Sequence, residues 1–190
     1  MSTANGTAPV ALLPPGSWEL DSEGSTVGFE VRHLKLLRLR GRFGAVDADV
    51  SSDELGVSSI IATVAVASIY TGDPRRDQRL LGADFLDVVR HPVIFFSGVC
   101  APVAEEAPLR VLGTITVCGF TAPLELQAMR VQSGDDDGHE LRKVRVRADG
   151  ALSRRELGLE RDPRFAVGGV VVDDRVAIRL DMALARCDPY

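Results

Sequence analysis

The sequence predicts an all-β, antiparallel fold interrupted by one short helical insertion. Three observations carry this. Apolar residues alternate with polar ones at period two in segment after segment, turn-forming clusters separate the segments, and only the stretch around residues 73–90 departs from the pattern.

In chain order, Met1 to Gly16 reads as a flexible tail and residues 17–190 as a single domain. The tail has no Lys or Arg ahead of its weak apolar patch, Pro9 to Leu13, and Pro14-Pro15 ends that patch. It therefore does not read as a secretory signal, and a cytoplasmic protein is expected. From Thr26 to His33, Val27, Phe29, Val31 and His33 share one face, and Gly28, Glu30 and Arg32 share the other. That is a half-exposed strand. Arg38, Arg40 and Arg42 alternate with Leu39 and Gly41, a basic stripe along one face of the next strand. Ser59 to Ala67 is apolar on nearly both faces, which calls for cover on its outer side, by the helical insertion or by a partner chain. Asp73-Pro74 pairs an N-cap residue with proline at the first helical position. The helix then runs from Arg75 to Leu81, with a further turn or two over Asp84 to Arg90, and it must stop before Pro92. Later strands follow at Val93–Val99, Val111–Val117, Leu124–Gln127, Lys143–Arg147 and Arg175–Met182. Gly134 to Gly138 and Ala104 to Pro108 are solvated loop tips. Strands with one apolar face must hide it, either by stacking as two sheets or by closing into a barrel; closure also removes exposed edges.

Composition narrows the chemistry. The chain has 190 residues, 45% hydrophobic and 26% charged, which suffices for one domain with a sizeable core. A net charge of −5 disfavours nucleic acid as a partner. No apolar run approaches the ~20 residues needed to span a bilayer. Cys100, Cys118 and Cys187 are far apart in sequence, show no CxxC spacing and read as free thiols of a reducing compartment. The three histidines, His33, His91 and His139, show no metal-binding spacing. No nucleophile elbow or phosphate-binding glycine loop is present. No catalytic residue, metal ligand or cofactor is assigned. His33, on the apolar face of its strand, is the polar group to watch, either as a satisfied core histidine or at a cavity's mouth or floor. The arginines divide between a solvated face and a cavity mouth that meets an anionic headgroup, a task that suits the planar guanidinium fork.

The order of these pieces resembles the YceI-like, polyisoprenoid-binding family. The similarity runs from about Trp18 to about Ala185. It rests on Trp18-Glu19-Leu20-Asp21 and Ser25 to Leu34, then Gly41-Arg42-Phe43, and the Ser68 to Gly72 run with Arg76-Asp77 and Leu80. Asp84-Phe85, His91-Pro92 with Ile94-Phe95, Leu112 to Thr116 with Gly119-Phe120-Thr121, and Ser153-Arg154 with Leu157-Gly158-Leu159 complete it. The chain departs from the family at Gly24 and Cys118, where histidines are common, and at Leu157, where phenylalanine is.

The resemblance implies an antiparallel eight-stranded lipocalin-like barrel with an apolar tunnel. It also implies a bound isoprenoid or quinone-like lipid in place of a cofactor, and a homodimer. With inward parity, it assigns Phe29, Val31, Phe85, Phe95, Ile115 and Leu126 to an apolar wall. His33, Tyr70, Arg76 and Arg154 become the polar groups near the head of the ligand. An eight-stranded barrel is just wide enough to be filled by side chains or to hold one small ligand, and the small inward candidates Ala62, Ala65, Ala67, Gly113 and Thr114 leave room. Each buried CH₂ is worth about 0.8 kcal/mol, so ten carbons gain roughly 8 kcal/mol, against an association cost of at least about 4 kcal/mol. Two other readings compete: a scaffold or stress-response protein whose barrel is filled by its own side chains, and a hydrolase or isomerase built on His33.

Overall fold

The computed structural model describes residues 9–33, 37–104, 107–131, 142–159 and 172–187. Its strands are β1 (Gly16–His33), β2 (Leu37–Phe43), β3 (Val46–Ser52), β4 (Ser58–Ala65), β5 (Ile69–Tyr70), β6 (Val93–Cys100), β7 (Leu109–Val117), β8 (Phe120–Val131), β9 (Lys143–Ser153) and β10 (Val172–Arg186). The helix α1 (Pro74–Leu81) lies between β5 and β6. The histidine-bearing loop at His139, the glycine pair Gly168-Gly169, and Arg161 and Arg164 lie outside the described residues, as do the tips of both predicted loops.

The strands pair in the order β10-β9-β8-β7-β6-β4-β3-β1-β2-β5, and β10 pairs back onto β1. This closes the sheet and settles the choice between barrel and stacked sheets. Strands β2 and β3 bond to different halves of β1, along Val27–His33 and Gly16–Glu19 respectively, so they are two lengths of one stave. Strands β4 and β5 flank a 3-10 turn at Val66–Ser68 and form two lengths of the next. The result is a closed antiparallel eight-strand barrel. The register of β1 against β10 shifts between Asp21 and Thr26, where β1 changes partner. Ser25 holds this bulge: its hydroxyl donates to the Asp21 carbonyl and accepts from Ala183 N–H.

Period-two patterning sets which side faces in. In β8, Ala122, Leu124, Leu126 and Ala128 are buried, while Thr121, Pro123, Glu125 and Gln127 are exposed. In the hairpin from β7 to β8, Cys118 and Gly119 both adopt positive φ, the conformation that a two-residue turn needs to match the strand twist. The helix begins as its sequence predicts. The Asp73 side chain accepts from the backbone N–H of Arg75 and Arg76, and Pro74 opens the first turn. The continuation over residues 84–90 is turns rather than helix.

Two expectations are corrected. The N-terminal stretch is not a free tail up to Gly16. Leu12 and Leu13 are buried, Leu13 completely, and Val10 bridges to Val103. Ser52 Oγ donates to the Leu13 carbonyl and lies 2.6 Å from Ser58 Oγ, while Trp18 Nε1 donates to the Pro14 carbonyl. The physical reason is that one end of the barrel would otherwise expose the apolar ends of its staves; these leucines cover it. The helical insertion, in turn, does not shield the outer side of β4, where Ile61 is exposed. It sits over the opposite end of the barrel instead, where Leu80, Leu81, Phe85 and Val88 pack against the cluster around Phe43, Ile69, Leu86 and Leu157.

Candidate functional site

The barrel is hollow. Its interior holds a cavity of about 800 Å³, towards the upper end of the range for small-molecule sites. One end is floored by Leu12 and the other reaches Arg75 and Arg79 on α1, which are exposed. Among the described residues, the wall is made of Leu, Val, Ile, Phe, Ala and one Met, apart from Asp73 and five arginines: Arg38, Arg75, Arg76, Arg79 and Arg154. No described serine, threonine, cysteine, histidine or tyrosine lines it.

A closed barrel of this size stays open because its inward aromatic rings lie along the wall. Phe29 faces Gly41 across the β1–β2 pair, and a Cβ at residue 41 would come within 2.2 Å of the Phe29 ring. The Phe96 ring covers both Gly98 and Gly113, where added Cβ atoms would meet it at 2.8 and 2.9 Å. Glycine there supplies space for a ring to fold down. Small residues opposite, Ala48, Ala62, Ala128 and Ala148, keep the centre free.

Most of the predicted wall is where parity put it. Phe29, Val31, Phe85, Ile115 and Leu126 line the cavity, as do Arg76 and Arg154. Phe95 does not. It points outward and is 41% exposed, while its neighbours Ile94 and Phe96 point in. Both faces of β6 are apolar, so alternation could not choose between them; the single hint was Ser97 on the same face as Phe95. Tyr70 also points away, 54% exposed, with the Arg42 guanidinium 5.3 Å above its ring. His33 ends β1, paired with Leu37 and Val172, and its side chain lies outside those described. Sequence reasoning missed Phe96, for that symmetry, and Leu12, because the proline pair after it disguised a packed segment as a tail.

The arginines differ in their surroundings. Arg40 pairs with Glu30 on the outer face, and Arg38, although it also touches the cavity, pairs with the same carboxylate, so the basic stripe of β2 is largely a solvated, balanced surface. Arg76 is structural: its Nε donates to Thr71 Oγ1 and its Nη2 to the Thr71 carbonyl. Asp77 accepts from the Thr71 N–H and hydroxyl. Together they pin α1 to the end of β5. Arg154 is 8% exposed and donates to the Leu159 carbonyl. Beside it, burial pushes Asp174 upward, but the Arg155 N–H, the Ser153 hydroxyl and the nearby arginines outweigh that and hold the carboxyl below its usual range. Cys118 is no activated thiol. Burial and the Asp87 charge both push it up, and its Sγ sits 3.2 Å from the Leu86 carbonyl. Among the described residues, no three His, Cys, Asp or Glu side chains cluster as a metal site, and no helix is long and apolar enough to cross a membrane.

Comparison with known proteins adds family and fold. A family model described as the YceI-like domain matches residues 18–184. A UPF0312 protein of Vibrio cholerae is 27% identical over 141 residues, covering 70% of this chain and 75% of that one. Protein YceI of Salmonella newport is 28% identical over 149 residues, covering 76% and 77%. Among solved structures, Burkholderia cenocepacia BcnA superposes with a TM-score of 0.73 at 20% identity, covering 86% of this chain and 98% of that one. A polyisoprenoid binding domain from Saccharophagus degradans, implicated in plant cell wall breakdown, gives 0.63 at 13% identity, covering 90% and 98%.

Proposed function

The chain belongs to the YceI-like family, and on that premise we propose that it binds one apolar chain, of isoprenoid or quinone-like type, inside its barrel without transforming it. The observation that carries this is the cavity itself: about 800 Å³, enclosed by aliphatic and aromatic side chains and floored by Leu12. Water in such a space has almost no hydrogen-bond partners, so an apolar chain that displaces it gains the transfer free energy of every carbon it buries. The related fold of a polyisoprenoid binding domain supports the same class of ligand. A wall whose only described polar groups are Asp73 and arginines supports binding over catalysis. Asp73 is occupied as a helix cap, and no described group on the wall supplies a nucleophile or a neutral acid–base partner.

Two finer points belong to the same reading. A reducing, cytoplasmic setting is supported by Cys100 and Cys118, both free thiols. A homodimer is supported by the outer wall, where Ile61, Phe95, Val99 and Leu112 are exposed side by side on β4, β6 and β7. Sedimentation equilibrium of the protein and of Phe95→Glu reads this: a dimer that the variant splits supports it, and a monomer at all concentrations removes it.

The binding reading is tested by solvent extraction and mass spectrometry of protein purified without added lipid. The same protein, stripped, is then titrated with geranylgeraniol. One carbon-chain molecule per barrel, or saturable uptake of the alcohol, is expected. Empty extracts together with no uptake would sink the reading.

A further inference from the structure

Building on the binding reading above, we propose that Leu12 sets the length of chain the barrel accepts, by closing the blind end of the cavity at a fixed depth. The cavity is asymmetric. Leu12 floors one end, and the other reaches exposed residues of α1, so a chain enters from the α1 side and stops at the leucine. Beyond Leu12 the described residues form a solid layer. Leu13, Trp18, Cys100 and Leu109 pack there, all buried, and none of the four lines the cavity.

The floor is held in place on both sides of Leu12. Before it, Val10 exchanges both backbone hydrogen bonds with Val103, at 2.8 and 3.0 Å, and Ala11 lies so close to Gly56 that a Cβ there would come within 2.9 Å of its methyl. After it, the Leu13 carbonyl accepts from Ser52 Oγ, the Pro14 carbonyl from Trp18 Nε1 and the Pro15 carbonyl from Arg186 Nη2. Three strands, β1, β3 and β10, and the segments after β3 and β6 thus clamp one short strap, and its two prolines have fixed φ. Leu12 keeps its height when a chain presses on it. The strap lies ahead of residues 18–184, which carry the family match, so the depth is set by a part of the chain outside that match.

Depth converts into selectivity. Along β10 the lining residues run from Val176 to Leu184, about 26 Å of strand and, at the usual barrel tilt, about 20 Å of depth. Each enclosed CH₂ improves affinity about fourfold, so chains that fit bind better as they lengthen. Whatever path a chain takes, the space of about 800 Å³ fills at some length. Further carbons stay outside, and a chain drawn from a bilayer then moves them from lipid into water. The wall cannot make this choice, because its aliphatic lining treats one carbon like the next. The floor can.

The test holds the head constant and varies the chain. Phosphatidylcholine vesicles carrying equal amounts of all-trans prenols, from farnesol through geranylgeraniol to solanesol, are equilibrated with stripped, full-length protein. The protein is separated by flotation, and its extract is read by mass spectrometry. For the wild type, retention is expected to peak at one length and to fall at least about tenfold for each further isoprene unit. Leu12→Ala should raise the ratio of the next longer prenol to the preferred one at least about threefold, and Leu12→Phe should shift the profile to shorter chains. Val27→Ala, which widens the wall among the residues around Phe43, should leave the profile unchanged. Leu12→Phe keeps an apolar floor and has the hollow to enter, so it carries the test if Leu12→Ala unfolds. Retention that keeps rising with length, or a profile that neither Leu12 variant moves, overturns the inference and leaves the cavity reading intact. An equal shift from Val27→Ala overturns the assignment to Leu12. Retention of no prenol at all by the wild type overturns both readings.

Discussion

The Phe29 ring lies over Gly41 on the neighbouring strand, so closely that a single added methyl at residue 41 would sit 2.2 Å from its tip. The two residues are directly opposed in the β1–β2 register. This contact turns a bulky inward side chain into wall lining rather than filling. Gly41→Ala should lift the ring into the hollow. Affinity for geranylgeraniol is expected to fall several-fold, with a loss of stability of about 1–3 kcal/mol, the usual range for overpacking. Titration and urea denaturation check the two effects separately.

Filling the cavity from another side separates the hollow from the fold. Ala148 is buried on β9 and lines the cavity. Ala148→Phe has empty space to enter, so the thermal midpoint should hold or rise while chain uptake drops below detection. Unchanged uptake in this variant would count against the barrel interior as the binding site.

The two adjacent phenylalanines of β6 give a parity test. Phe96→Ala removes a ring from the wall and should cost about 3–5 kcal/mol if the space does not collapse. Phe95→Ser acts on an outer residue and, compared at protein concentrations where the chain is monomeric, should change stability by no more than about 0.5 kcal/mol and ligand affinity not at all. Equal effects from the two substitutions would contradict the register of β6 with β4 and β7.

The floor of the barrel depends on a segment that looks dispensable. Leu13 is fully buried, and its carbonyl accepts the Ser52 hydroxyl. Leu13→Ala is expected to cost about 2–5 kcal/mol, read from the urea midpoint. Removal of residues 1–13 should destabilise the barrel further and let bound chain escape faster.

Acid should weaken the β9–β10 seam. Asp181 accepts from Arg145 and Arg147 across these strands. The Arg145 hydrogen bond does most to hold its carboxyl below the ordinary range; partial burial opposes this and Arg147 assists. Its folded value thus lies below its unfolded one, about 3.9. The stability it contributes is complete above that unfolded value and is lost as pH falls through the folded one. Asp181→Asn should lower the urea midpoint at neutral pH, with the gap to wild type shrinking as the pH is taken towards about 2.

How far the sequence alone reaches is clear from particular strands. In β1 and β8, polar residues mark one face, so Val27, Phe29 and Val31, or Leu124 and Leu126, are assigned to the interior by alternation alone. The Asp73-Pro74 start of α1 is equally local, because capping involves only atoms a few residues apart. The tertiary structure decided the rest. It turned Phe96 inward and Phe95 out on a strand whose two faces are both apolar, folded Leu12 and Leu13 under the barrel, and set the arginines of α1 at its mouth. Above all it made the interior hollow. That property depends on which glycine stands opposite which ring, and cross-strand register joins residues that are neighbours in space without being neighbours in the chain.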